Sequence, residues 1–249
     1  MPKPLRLAIN GARGRMGRQL VALSRDDPRF GEVVELGADS DFSQLTGVDV
    51  LVDFSSPQGL SDALAHCRSQ GVVLVSGTTG IGKDGESCLD AAGKEIAVLH
   101  AANFSLGVAV LTRLLAEAAS MLPDWDLEIV EAHHAAKRDA PSGTALSLGR
   151  AAAEARQIDL DAVQKIGRRG ESGPRSAGEI GFSSIRAADI VGEHNAILAT
   201  AGERIELGHR ATDRAIFARG ALAACAWLAG REPGRYTLDD MLGTKVEGA

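Results

Sequence analysis

Short apolar runs alternate with helix-like segments along the first part of the chain. The runs carry almost no polar residues, as is typical of strands that are buried on both faces of a sheet. Strands that alternate with helices in this way predict a parallel sheet with helices on both sides. We therefore expect a doubly wound α/β domain with strands over 5–9, 33–39, 49–54, 72–77 and 96–101.

The pattern changes after about residue 125. One further strand, DLEIVEAHH, is followed by a helix over 142–156 and by a polar, glycine-rich stretch over 158–178 that we interpret as a long loop. Three β-like runs with short polar turns then predict an antiparallel or mixed sheet, and a helix follows over 213–229. The later part of the chain is therefore predicted to form a smaller α+β domain, with the boundary within 104–125.

Composition narrows the class of protein. Hydrophobic residues make up 45% and charged residues 24% of the 249 residues, as is ordinary for a globular protein. The net charge of −6 argues against nucleic acid as the main partner. Three scattered cysteines without a CxxC pair indicate reduced thiols, and MPKPLRLAING has no secretory apolar region, so we expect a cytoplasmic protein. The late apolar segment is broken by Arg219 and is too short to span a membrane.

A glycine motif, NGARGRMGR, follows the first predicted strand and opens a helix. Gly11, Gly14 and Gly17 would allow the backbone to approach a pyrophosphate at the helix N-terminus. Asp39 lies about twenty residues farther on, where a dinucleotide site places a ribose-binding carboxylate. This carboxylate would repel the 2′-phosphate of NADPH and therefore favours NADH. The positive charges of Arg13 and Arg15 could offset that repulsion. A structural turn with an unrelated surface aspartate is the alternative.

Two polar turns, GTTG at 77–80 and AANFS at 101–105, end the fourth and fifth predicted strands. Ligands of open α/β sheets bind beyond the carboxyl ends of the strands. Small residues there would let a nicotinamide ribose and carboxamide approach the backbone. Taken singly, each segment could equally be an ordinary turn.

The segment EAHHAAKRDAPSGTAL, residues 131–146, places two histidines at a strand end and a lysine shortly after them. His133 titrates near neutral pH and can relay a proton, as can His134. The Lys137 ammonium can neutralise an anion or donate a proton. A metal-binding histidine pair is an alternative, but no third ligand is evident; a solvated, ion-paired loop is another.

The same segment ends in a predicted helix N-terminus. Ser142 is the expected N-cap, which leaves the backbone N–H groups of Gly143 and Thr144, with the Thr144 hydroxyl, to bind an anion. This combination suits a small carboxylate substrate.

Taken together, GARGRMG, GTTG, AANFSLGV, EAHHAAKRDAPSGTA and IRAADIVGEH resemble the 4-hydroxy-tetrahydrodipicolinate reductase (dihydrodipicolinate reductase) family, in order and through almost the whole chain. The resemblance implies a Rossmann-like cofactor domain over 1–104, to which a C-terminal helix over 213–249 returns. It implies a substrate-binding and oligomerisation domain over 105–212, and a homo-oligomer, most often a tetramer. Neither nucleic acid nor membrane is an expected partner.

The resemblance also implies the reaction and the residues. NAD(P)H would pass a hydride to C4 of a cyclic dicarboxylate with loss of water, in lysine and diaminopimelate biosynthesis. His133 would be proton donor and acceptor and Lys137 a proton donor, while His134, Gly143 and Thr144 would bind substrate without a metal. The implied cofactor-binding residues are Gly11, Ala12, Arg13, Gly14, Arg15, Met16, Asp39, Gly77, Thr78, Thr79, Ala101, Ala102, Asn103 and Phe104.

Several positions depart from the family pattern. Ala135 and Ala136 stand where a basic residue or third histidine is common, and Arg13 stands where glycine is common. Ser40, where arginine often follows the ribose-binding acid, favours NADH further. A dinucleotide-binding regulator without turnover and another oxidoreductase acting on an amino acid semialdehyde are the rival functions. The first would need a basic DNA-reading helix, and the DAPSGTA segment argues against the second.

Overall fold

The computed structural model describes residues 3–243, which form two compact units. Unit 1 contains the residues up to Leu106 together with those from Ala215 onward, and unit 2 contains Gly107–Arg214. Unit 1 is therefore built from two separate segments of the chain.

Unit 1 contains a six-stranded sheet in which every strand runs parallel to its neighbours, in the order β11-β5-β4-β3-β1-β2. The doubly wound sheet predicted from the sequence is confirmed. Its strands are β1 Leu5–Asn10, β2 Phe30–Leu36, β3 Val50–Asp53, β4 Val73–Ser76, β5 Ala97–His100 and β11 Gly234–Tyr236. The strand predicted over 33–39 thus begins and ends three residues earlier.

Helices cover both faces of this sheet. They are α1 Arg15–Arg25, α2 Pro57–Gln70, α3 Gly82–Ala92 and α7 Ala215–Leu228. Alternate strand residues such as Leu51 and Leu74 pack with Leu60, Leu64 and Leu89 from α2 and α3 in one buried apolar cluster. Contacts of α1 with α7, and of α7 with the central strands, cover the other face.

The order of the strands reverses between β1 and β3. The chain passes from β1 outward to β2 and then returns to the other side of β1 to form β3. The connection after β1 and the connection to β3 therefore run to opposite sides of β1. A crevice opens between them at the carboxyl ends of these strands, where ligands of such sheets bind. The glycine turn after β1 lies at this point.

The C-terminal segment completes unit 1. A side chain at Gly220 of α7 would overlap the Phe104 carbonyl oxygen, so the helix backbone packs directly on the end of the 101–105 turn. The single helix implied over 213–249 is wrong, because within the described residues α7 is followed by β11 and by a short helix, α8 Leu238–Met241. Residues 244–249 lie outside the described part.

Unit 2 contains a five-stranded mixed sheet in the order β10-β9-β6-β8-β7. Strand β6 is parallel to β8 and antiparallel to β9, as the mixed-sheet prediction allows. Its elements are α4 Leu106–Met121, β6 Asp126–His133, α5 Gly143–Ala155, α6 Leu160–Val163, β7 Gln164–Ile166, β8 Ile180–Arg186, β9 Gly192–Thr200 and β10 Glu203–Ala211. The loop predicted over 158–178 therefore contains α6 and β7.

One face of strand β6 is apolar at the beginning of the strand and polar at its end. Leu127 and Ile129 are buried in the apolar cluster that also holds residues of α5. Because side chains of a strand alternate between faces, Glu131 and His133 continue this row toward the strand end. The apolar core of unit 2 thus gives way to a polar cluster where β6 ends. No helix among residues 3–243 is long and apolar enough to cross a membrane.

Candidate active site

The turn after β1 requires two of its glycines. Gly11 has φ +79°, and a side chain there would overlap the Phe54 carbonyl oxygen at the end of β3. A side chain at Gly17 would overlap the carbonyl oxygen of Gly11. Only glycine allows the left-handed backbone at Gly11, and the close approach at both positions, without strain.

The N-terminus of α1 fits an anionic group. Its N-cap, Gly14, provides no side-chain hydrogen bond, and the first turn contains no acidic residue. The first backbone N–H groups of a helix have no partner within the helix and carry partial positive charge. Arg13 and Arg15 are exposed beside them. The pyrophosphate of a dinucleotide is the kind of group this arrangement suits.

Asp39 lies in the turn after β2 and is exposed. The turn is closed by Gly37 N–H, which donates to the Ser40 hydroxyl oxygen at 2.8 Å. Arg13 lies against the same turn, since a Cβ at Gly37 would be 3.4 Å from the Arg13 Nε. The proposed ribose-binding acid and an arginine of the glycine motif therefore border one turn.

Asp53, at the end of β3, was not predicted as a site residue, yet its carboxylate connects the ends of β1, β3 and β4. Its fully buried carboxylate accepts from Asn10 Nδ2 at 2.8 Å, from Ser76 Oγ at 2.9 Å and from Thr78 Oγ1 at 2.7 Å. The Ser55 hydroxyl is a further partner. The carboxylate thus fixes the start of the 77–80 turn relative to β1 and β3.

The 77–80 and 101–105 turns are packed through aromatic rings. A side chain at Gly77 would overlap the ring of Phe54, whose centroid lies 5.5 Å from that of Phe104. The side chains of Phe104, Thr78 and Ala12 are buried, so these predicted cofactor residues can offer a ligand mainly backbone atoms. The other predicted cofactor residues in the two turns are exposed or half-buried, namely Gly77, Thr79, Ala101, Ala102 and Asn103.

In unit 2, the polar cluster at the end of β6 centres on Glu131, whose side chain is 1% exposed. Its Oε2 lies 2.6 Å from His133 Nδ1, and its Oε1 accepts from the Ser142 backbone N–H at 3.2 Å. Arg186, at the end of β8, donates to both oxygens at 2.8 and 2.7 Å. One carboxylate therefore contacts the predicted catalytic histidine and the N-cap of α5.

Arg186 extends this cluster to the lysine turn. Its Nη2 also donates to the Asp139 carbonyl oxygen at 2.6 Å. The Asp139 carboxylate lies 2.9 Å from the Lys137 Nζ, and the Lys137 N–H donates to the His134 carbonyl oxygen at 3.1 Å. The lysine is thus tied to the same buried carboxylate through two hydrogen-bonded neighbours.

A second buried histidine, His194 on β9, completes the cluster. Its ring lies edge-on to that of His133 with 5.2 Å between centroids, and its Nε2 is 3.1 Å from the Ser142 hydroxyl oxygen. Burial, reinforced by the neighbouring His133, lowers the pKa of His194 to about 4. This histidine is therefore neutral at physiological pH.

Burial and the neighbouring hydrogen-bond donors act in opposite directions on the pKa of Glu131, and burial and Glu131 act in opposite directions on that of His133. Burial opposes ionisation of Glu131, but hydrogen bonds from Arg186, Ser184 and His133 outweigh it and lower its pKa to about 2. Burial lowers the pKa of His133, and Glu131 only partly offsets this effect. The resting pair at neutral pH is a carboxylate beside a mainly neutral imidazole.

The predicted start of α5 is confirmed, with Ser142 as its N-cap. The Ser142 hydroxyl oxygen accepts from the Ala145 N–H at 3.1 Å, and the first turn contains no acidic residue. The N–H groups of Gly143 and Thr144 precede the capped one, so they are placed to bind an anion. Gly143 is exposed, and no atom lies within 4 Å of the position of a Cβ there.

The structure thus brings His133, Lys137 and the α5 N-terminus together within unit 2, and the glycine turn and two strand-end turns together within unit 1. Four residues of these clusters were not predicted as site residues, namely Asp53, Glu131, Arg186 and His194. A charged residue at an apolar position of the period-two pattern, as in L-E-I-V-E, was the available signal for Glu131. Among residues 3–243, no group of three or more histidine, cysteine or acidic side chains could hold a metal ion.

Comparisons with known proteins cover both units. The family model described as dihydrodipicolinate reductase, N-terminus, matches residues 32–104, and the one described as dihydrodipicolinate reductase, C-terminus, matches residues 107–242. A curated 4-hydroxy-tetrahydrodipicolinate reductase of Alkalilimnicola ehrlichii is 45% identical, over 96% of this chain and 98% of its own length.

Solved structures share the fold. A dipicolinate-bound dihydrodipicolinate reductase from Paenisporosarcina sp. TG-14 superposes with a TM-score of 0.77 at 23% identity, over 94% of this chain and 98% of its own. A DAP dehydrogenase of C. glutamicum in complex with DAP has a TM-score of 0.56 at 15% identity, over 98% and 97% of the two chains. On the two family models and the 45% identical relative, the chain belongs to the dihydrodipicolinate reductase family.

Proposed function

We propose that the chain is an NAD(P)H-dependent reductase that acts on 4-hydroxy-tetrahydrodipicolinate. A hydride is delivered to C4 of the cyclic dicarboxylate and water is lost, which gives tetrahydrodipicolinate for lysine and diaminopimelate synthesis. The observation that carries the proposal is the Glu131 carboxylate, which contacts both His133 and the N-cap residue of α5. A proton-transfer group and an anion site are thereby held together in a chain of this family.

Unit 1 would hold the cofactor. The α1 N-terminus fits the pyrophosphate, Asp39 would bind the adenosine ribose, and the 77–80 and 101–105 turns would contact the nicotinamide half. The bound nicotinamide supplies the hydride. The buried Asp53 network keeps the turn after β4 in place relative to the glycine turn.

Unit 2 would hold the substrate. A ring with two carboxylates needs two anion sites, and the N–H groups of Gly143 and Thr144 supply one of them. We assign a second contact to His134, which follows β6 directly and is half-buried. Lys137, whose carboxylate partner Asp139 is largely exposed, adds positive charge to the same region.

The proton required after hydride transfer would come from Lys137 or His133. The lysine ammonium carries protons that it can donate directly. The neutral His133 ring can accept a proton at one nitrogen and release it again, which suits a relay. Both groups are half-buried, so a bound substrate could displace the remaining water from them.

Oxidation of NADH at 340 nm with the freshly made synthase product tests the function. Substrate-dependent oxidation with release of tetrahydrodipicolinate is expected. Dinucleotide binding without oxidation would favour a regulator. Oxidation only with an amino acid semialdehyde would favour the rival oxidoreductase.

For the cofactor we propose a preference for NADH over NADPH. A carboxylate at Asp39 repels a 2′-phosphate, and Ser40 provides no compensating charge. Arg13, which lies against the same turn, limits the preference rather than reversing it. Steady-state kinetics with both cofactors measure the ratio.

We also propose that the chain forms a homotetramer, as the family resemblance implies, and that it is located in the cytoplasm. The free cysteines support a reducing compartment. Val130 and Ile197 lie on the sheet face opposite the α5-covered core, as does Ile185, which is 49% exposed. Light scattering should give the mass of a tetramer. Ile197→Glu should lower that mass, whereas Met121→Glu, at a 73% exposed position, should not.

A further inference from the structure

We propose that Glu131 is a positioning residue that holds the His133 ring with its proton on Nδ1 and its Nε2 toward the substrate region, while fixing the start of α5. This inference rests on the proposed function for its catalytic meaning. Its structural part, the state of the His133 ring, can be tested without turnover.

Every described partner of the Glu131 carboxylate is a hydrogen-bond donor. Arg186 reaches both oxygens, the Ser142 N–H reaches Oε1, and the Ser184 hydroxyl also donates. Such a carboxylate, ionised and 1% exposed, can only accept. The 2.6 Å contact with His133 Nδ1 therefore requires the proton on that nitrogen.

The opposite edge of the ring lies against a buried glycine. A Cβ at Gly192, the first residue of β9, would lie 3.1 Å from His133 Nε2. Any larger residue there would press on the nitrogen that is free to exchange protons. Because Gly192 has no side chain, the unprotonated Nε2 of the neutral ring is not blocked by this residue.

The charges around the ring come from four elements. Glu131 on β6 favours a protonated ring, whereas Lys137 in the following loop and Arg186 on β8 disfavour it. His194 on β9 faces the ring edge and is itself neutral. Glu131 is therefore the anionic group that contacts the ring and favours its protonated form.

The amide variant Glu131→Gln makes a specific prediction about the ring. Its NH₂ group must face one set of former donors, either Arg186 and Ser142 or Arg186 and His133. Of the donors in these two sets, the Arg186 guanidinium and the Ser142 backbone N–H cannot accept, whereas His133 can become an acceptor by moving its proton to Nε2. The variant should therefore reverse the tautomer and put a proton where the wild type presents a lone pair.

Ring ¹⁵N NMR of histidine-labelled protein tests the proposal, with the His133 signals assigned by their loss in His133→Gln. Wild type should show protonated Nδ1 and unprotonated Nε2 above the pKa of the ring, and Glu131→Gln should show the reverse. The matched control is Glu128→Gln, which also loses a β6 glutamate that pairs with arginines, including Arg168 at 2.9 Å, but does not contact His133. The control should keep the wild-type tautomer.

Measurements of turnover distinguish a failure of this inference from a failure of the proposed function. Glu131→Gln should lower kcat by about 10², the low end of what a positioned proton-transfer group contributes, with KM for NADH unchanged. Wild-type NADH oxidation that fails altogether would refute the function but leave the ring measurement valid. If the wild-type ring has its proton on Nε2, the positioning role is refuted, whether or not the variant folds. If Glu131→Gln folds and its His133 ring keeps the wild-type tautomer, the role is refuted as well.

Discussion

The Thr78 hydroxyl donates a 2.7 Å hydrogen bond to the buried carboxylate of Asp53, and so links the turn after β4 to the end of β3. Asn10 and Ser76 donate to the same carboxylate. The turn that is proposed to contact the nicotinamide half therefore depends on a residue that lies beneath it rather than on its own sequence alone.

Asp53→Asn should weaken both the fold of unit 1 and cofactor binding. The amide NH₂ must face donors that the carboxylate had satisfied, and an unsatisfied buried group costs about 1–3 kcal/mol. We expect the free energy of unfolding to fall by that amount and the Kd for NADH to rise several-fold. Urea unfolding and fluorescence titration measure the two effects. Asp62→Asn, on the exposed face of α2, should change neither.

Lys137→Ala should lower turnover and leave the fold intact. Proton transfer by a positioned group contributes about 10²–10⁴ in rate, so kcat should fall by at least 10². The lysine pairs with Asp139, which is largely exposed, and such pairs contribute little to stability. Arg138→Ala, next to it and exposed, is the control. Near wild-type turnover in a purified Lys137→Ala protein would remove the lysine from the mechanism.

Asp39→Ala should shift the cofactor preference toward NADPH. Two like charges about 4 Å apart repel by about 1–4 kcal/mol between water and a protein surface, so the NADH/NADPH ratio of kcat/KM should fall about tenfold. Glu35→Ala, which removes an exposed carboxylate of β2 paired with Arg25, should leave the ratio unchanged. If both variants keep the wild-type ratio, Asp39 does not border the ribose.

The buried His194 should make the protein less stable in mild acid. Its pKa falls from 6.5 in the unfolded chain to about 4 in the fold, so the unfolded state binds the extra proton first. Stability is therefore present above pH 6.5 and is lost as the pH falls toward 4. Between pH 7.5 and 5 this single group should cost about 2 kcal/mol of unfolding free energy.

Urea unfolding of wild type and His194→Gln at several pH values isolates this effect. The pH dependence above pH 5 should be reduced in the variant. Glu131, whose pKa falls from 4.5 to about 2, stabilises the fold above pH 4.5 and loses that contribution only below it. Equal slopes for the two proteins above pH 5 would assign the acid sensitivity to other groups.

The alternating part of the fold could be predicted from the sequence because each buried strand is an almost uninterrupted apolar run. Strand β11 could not, since its three residues, Gly234–Tyr236, carry no apolar pattern and lie at the sheet edge, where they pair with β5. The short β7 was missed for the same reason, because it pairs only with β8.

The candidate site was predictable where its residues belong to the polar segment that begins at the end of β6, and not where they lie within an apolar strand. His133, Lys137 and Ser142 belong to a polar segment whose composition already indicates chemistry. Glu131 and Asp53 lie within apolar strands, where a single carboxylate gives no indication of its partners. Their importance follows from donors up to 55 residues away along the chain, such as Arg186, which no local pattern reveals.

The return of α7 to the end of the 101–105 turn has a consequence for synthesis of the protein. The ribosome makes all of unit 2 before it makes the helix whose Gly220 backbone packs on Phe104. Unit 2 can acquire its sheet and core while unit 1 still exposes the apolar face that α7 will cover. A nascent chain halted before residue 215 should therefore present its first half, and not its middle, to chaperones and proteases.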